Sequence, residues 1–76
     1  MTTPHAVYWS GPVAQKDDFG RAIAREFIDG RTRHGPWAIM SPESWAIETG
    51  TFGLLGLGQG QRYTLQPDGS WLKTEG

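Results

Sequence analysis

Arg31, Arg33 and His34 crowd into one short stretch and form the densest positive cluster of the chain, with Arg62 as a candidate fourth member. Cations grouped in a loop can meet phosphates, and a tryptophan such as Trp37 or Trp45 could stack a base beside them. The same residues follow a segment with a helical pattern, where cations satisfy terminal carbonyls and the negative end of the dipole. A formal net charge of −1 supplies no field that would gather a polyanion. The local structural role therefore outweighs the nucleic-acid role, which stands as the alternative.

Residues for catalysis are scarce. The chain has two histidines and no cysteine, so thiolate metal sites are excluded and a structural zinc site has too few ligands. His34 near Asp29 or Glu26 could act as a base, but no nucleophile or metalloprotease motif accompanies it. The expectation is a protein that is not an enzyme and holds no cofactor and no metal.

The stretch 50–60, GTFGLLGLGQG, carries five glycines among apolar residues. Glycines let backbone N–H groups approach a phosphate closely. The dinucleotide fingerprint requires a third glycine where Gln61 stands, and a helix where a strand pattern follows. A Walker lysine is missing, and Gly53-Leu54-Leu55-Gly56 lacks the basic residues that let a G-x-x-G loop grip RNA. The stretch reads as a bulged approach to a hairpin, with Phe52, Leu54, Leu55 and Leu57 partly tucked in.

Three elements are expected to carry these residues. Over 17–30, Phe19, Ile23 and Phe27 recur every four positions, Asp17 or Asp18 can cap the start and Gly30 can close the end. That pattern predicts a long helix, charged on its back, with Ile28 pointing away from the stripe to pack under a loop or against a partner. Ser41-Pro42-Glu43 is a helix start, and Met40 with Trp45 suits a hydrophobic staple, giving a short helix over Pro42–Glu48. Pro67-Asp68-Gly69 fits a type I turn followed by a left-handed glycine, which pairs Leu65 with Trp71 and Tyr63 with Lys73. Residues 6–10 and 36–40 read as further strands.

The expected fold is α+β: a small, mostly antiparallel sheet of three or four strands, one long helix on one face and a short second helix, in the order β-α-β-α-β-β. The 76 residues read as one domain with a loose start over 1–5. Most of the four tryptophans belong to the core. Trp45, on a short helix beside the glycine-rich stretch, is the one expected at the surface. No signal peptide or membrane span is legible, which suggests a soluble, cytoplasmic protein. Small size, aromatic content and outward-facing Ile28 and Leu72 favour a non-enzymatic binding or accessory module. It would work through protein–protein contact, with a homodimer as one form, and would have no membrane partner. Arg31, Arg33, His34, Trp45, Phe52 and Leu54 are the candidate partner-binding residues.

Overall fold

The computed structural model describes residues 5–76, so all but His5 of the expected loose start lies outside the described residues. Four strands and one helix follow in the order β1 (Glu26–Arg31), β2 (Trp37–Met40), α1 (Pro42–Glu48), β3 (Gly60–Leu65) and β4 (Trp71–Glu75). The strands form one antiparallel sheet ordered β2-β1-β3-β4. The long helix expected over 17–30 is not formed, and with it goes the picture of a helix laid across a sheet. Its C-terminal half is β1, a central strand paired on both sides.

The physical reason lies in two neighbouring side chains. Phe27 and Ile28 are both fully buried, and on a strand they point to opposite faces of the sheet. Phe27 stacks on Tyr63 at 5.1 Å and meets Trp71 and Trp9 at 5.1 and 5.2 Å. Ile28 packs with Met40 and Trp45 beneath α1. A one-striped helix would leave Ile28 on its outer side, whereas the strand buries both residues. Ile28 is therefore not spare surface for a partner.

The N-terminal half of the same segment is a turn organised by Asp17. Its Oδ1 accepts N–H bonds from Phe19 and Arg21, both at 2.9 Å, and so takes over donors that a helix would need. Gly20 sits at φ +85°, a left-handed value that no α-helix interior holds. The turn is closed by the pairing of Lys16 with Ala22.

The locally coded elements form as the sequence suggests. Ser41 caps α1 by accepting the Ser44 N–H at 3.2 Å, with Pro42 and Glu43 in the first turn. The last hairpin pairs Leu65 with Trp71 and Tyr63 with Lys73. α1 lies close on the sheet because β1 offers it Gly30: a methyl group there would stand 2.8 Å from Cζ3 of Trp45. Both outer edges of the sheet are also engaged. Asp18 bonds Ile39 of β2 through its N–H and its carboxylate, and Val7 and Trp9 exchange backbone bonds with Lys73 and Trp71 of β4. In place of the expected first strand, residues 6–10 make one isolated bridge, Tyr8 to Leu72. Covered edges resist strand addition by another chain.

Asp17 joins these parts. Its Oδ2 accepts the Ser41 N–H at 2.8 Å and the Ser44 hydroxyl at 2.5 Å, so the turn is tied to the cap of α1. Burial alone would raise the carboxyl pKa, but the bonds from Ser44, Ser41 and Arg21 outweigh it and hold the group well below the usual carboxylate range. A depressed folded-state pKa gives stability that is full above about pH 4, where the unfolded Asp is ionised, and is lost as pH falls below that. Asp17→Asn should lower the unfolding free energy by roughly 2–4 kcal/mol near neutrality, since several hydrogen bonds to a buried charge are weakened. The gap between denaturant melts of parent and variant should narrow progressively as pH falls below about 4. A deficit that stays constant with pH would contradict this role.

Candidate functional site

The glycine-rich stretch folds into two successive tight turns with an anchor between them. In the first, Leu54 N–H donates to the Thr51 carbonyl at 3.1 Å and the Thr51 hydroxyl donates to the Leu54 carbonyl at 2.7 Å. Thr49 Oγ1 accepts the N–H groups of Thr51 and Gly53 at 3.1 and 2.9 Å. In the second, Gly56 and Gly60 exchange backbone bonds of 2.8 and 3.0 Å. Leu55, between the turns, packs against the cluster of Ile28, Met40 and Trp45.

The turns display what the anchor holds still. Phe52 and Leu57 are each 99% exposed, and Leu54 is 59% exposed. The sequence led us to expect these side chains partly tucked in; of the four, Leu55 alone packs inward. Phe52 is also the one non-glycine residue with positive φ among the described residues, at +56°. A bulky side chain there costs roughly 1–2 kcal/mol against the right-handed form. Isolated exposed hydrophobic residues are ordinary. Here two with almost no burial share one hydrogen-bonded loop, and one of them is strained.

The other sequence candidates are distributed as follows. Arg31 ends β1 and is exposed. Arg33 and His34 flank the Glu48 carboxylate at 3.5 and 3.8 Å, so an acid from the end of α1 sits within the positive cluster. Arg62 does not join them: it pairs with Glu26 at 3.1 Å and Glu75 at 3.4 Å. The Arg33 N–H donates to the Glu48 carbonyl, and Gly50 N–H to the carbonyl of Arg31. These bonds place the cationic turn beside the root of the apolar loop. Trp45 is 4% exposed and belongs to the core; the tryptophan at the surface is Trp37, at 44%. Leu57 is as exposed as Phe52 and lies outside the sequence candidates, although its place between Gly56 and Gly58 is a signal for a turn tip.

A second feature lies on the opposite face of the sheet from α1. There, a cavity of about 170 Å³ is walled by Trp9, Pro12, Val13, Phe27 and Ile39, with Lys16 and Asp18 in its lining. Close to Asp18 on the same face, burial and then the Asp18 charge raise the carboxyl pKa of Asp29. Burial and the Asp29 charge likewise raise that of the Tyr63 hydroxyl. A wider groove of about 450 Å³ beside α1 has a mixed lining that includes Arg25, Glu26, Glu43 and Thr64. Among the described residues no three His, Asp or Glu side chains converge as metal ligands, and no helix is long and apolar enough to cross a membrane.

Comparison of the chain with protein-family models, curated proteins and solved structures finds no match.

The strain at Phe52 gives a direct test of whether this residue serves the fold. Asn tolerates the left-handed region, so Phe52→Asn should leave stability unchanged or raise it by up to about 1 kcal/mol. A thermal or urea melt showing clear destabilisation would instead mean that Phe52 supports the fold.

Proposed function

We propose that this protein is a small non-enzymatic binding module that works through protein–protein contact, with the loop carrying Phe52, Leu54 and Leu57 as its contact surface. The observation that carries this reading is the near-complete exposure of Phe52 and Leu57 on a loop held by backbone and threonine hydrogen bonds. Aromatic anchors on ordered loops lose little entropy on binding and dominate interface energetics. The occupied edges of β2 and β4 favour contact through side chains over strand addition. A cysteine-free chain suits a reducing compartment, and we place its action in the cytoplasm.

The test compares the parent with the double variant Phe52→Asn/Leu57→Ser. Affinity capture should lose specific proteins, the chain itself included, when the loop is altered, while the melting curve is kept. An identical captured set and identical sedimentation for both forms would overturn the reading.

A further inference from the structure

We infer that residues 5–16 form an exchangeable arm, and that the aromatic socket it covers takes the same arm from a second copy of this chain. The socket is a different surface from the Phe52 loop, so this inference stands apart from the function proposed for that loop.

The arm is lightly held along its length and firmly held at its base. Among the described residues, two backbone bonds join it to β4: Trp9 N–H to the Trp71 carbonyl at 2.9 Å, and Lys73 N–H to the Val7 carbonyl at 2.7 Å. The Trp9 ring supplies the grip, meeting Phe27 and Tyr63 edge-on at 5.2 and 5.3 Å. Trp9 and Val13 apart, every residue from 5 to 16 is exposed. Close-packed interiors leave few voids, yet a hollow of about 170 Å³ remains between Pro12, Val13 and Ala14 of the arm and Phe27 and Ile39 of the sheet. Segments with so few buried contacts open at lower free energy than the core. At the base, the Asp17 bonds to Ser41 and Ser44 keep the attachment point fixed. Gly11 stands at φ +93° with open space where a side chain would be, beside Pro12, and is the pivot.

Length and chemistry both allow exchange. The arm starts where Asp18 bonds β2 and ends on β4, so it crosses three strand spacings of the sheet, about 14 Å. The eight residues from Trp9 to Lys16 can extend to about 26–29 Å. Two sheets stacked face to face lie about 10 Å apart, so the slack reaches a neighbour. When the arm lifts, Phe27, Tyr63 and the edge of β4 lose their cover together. The arm of a second copy restores the same bonds and ring contacts. Two copies that trade arms form a closed two-fold dimer. A chain's own arm and an exchanged arm make the same contacts, so the monomer holds in dilute solution and exchange grows with concentration.

Cross-linking tests this, because the chain has no cysteine of its own. Tyr8 faces Leu72 in the isolated bridge, a pair type whose Cα atoms stand about 4.5 Å apart, within disulfide range. The single variants Tyr8→Cys and Leu72→Cys are mixed at millimolar concentration, warmed to near their melting midpoint, cooled and oxidised. They should link to each other at least tenfold more than to themselves. Random collision gives mixed and like pairs in equal amounts, and that ratio, or no linkage at all, would overturn the inference. The double variant Tyr8→Cys/Leu72→Cys, oxidised when dilute, should become a linked monomer that no longer dimerises at millimolar concentration. A dimer that forms with the arm so locked would also overturn it.

If substitution at either position disturbs the fold, isotope-filtered NMR on mixed labelled and unlabelled parent reads the same contact. Intermolecular peaks between Trp9 and Phe27 or Tyr63 are expected at millimolar concentration, and a sample without them sinks the proposal. Phe52→Asn/Leu57→Ser should exchange arms as the parent does; loss of self-association in that variant would assign the dimer to the loop instead.

Discussion

The Asp17 carboxylate is the interaction on which the remaining structure depends. A buried charge is tolerated only when its lone pairs are filled, and Asp17 fills them from three separate pieces of chain. Phe19 and Arg21 come from its own turn, Ser41 from the junction of β2 and α1, and Ser44 from inside the helix. The Arg21 guanidinium closes the set by donating to Ser44 Oγ at 3.2 Å. The turn thereby lies along β2, where Asp18 occupies the edge, and α1 is fixed at its N-cap and first turn. Among the described residues no buried side-chain nitrogen or oxygen lacks a partner. Removing one carboxylate would leave several donors unmatched together, which makes this node costly to break.

From that node the packing passes to the loop. A fixed α1 sets Trp45 over Gly30, and Trp45 with Met40 and Ile28 forms the cluster against which Leu55 rests. Leu55 in turn holds the two turns that display Phe52 and Leu57. The exposed residues are thus the outer end of a chain of contacts that begins at the core. The ordering of the loop is met during folding, which lowers the entropic cost of the contact proposed for it.

What could be read from the sequence was local. The Ser41-Pro42-Glu43 cap and the Pro67-Asp68-Gly69 turn specify their elements within a few residues, and both formed where expected. Residues 17–30 could not be read this way. Their four-residue recurrence of Phe19, Ile23 and Phe27 is real, yet Phe19 ends up exposed while Phe27 is buried with its neighbour Ile28. Two adjacent buried residues are a strand signal only when partners exist for both faces, and those partners lie far along the chain. Asp17 was recognised as an acceptor of backbone N–H groups, but the donors it takes belong to a turn. At the site, Phe52 and Leu54 were legible as apolar residues among glycines. The burial of Trp45 was not, because it depends on the missing side chain at Gly30 across the sheet. Nor was the place of Glu48 between Arg33 and His34, which needs the end of α1 folded back onto that turn.

The backbone NOE pattern over residues 17–30 tests this account most directly. The account predicts cross-strand contacts from Ile28 to both Met40 and Arg62, and contacts from Asp18 to Ile39, with no continuous run of sequential amide–amide peaks. An unbroken helical run of such peaks from Asp17 to Gly30, without cross-strand contacts at Ile28, would contradict it.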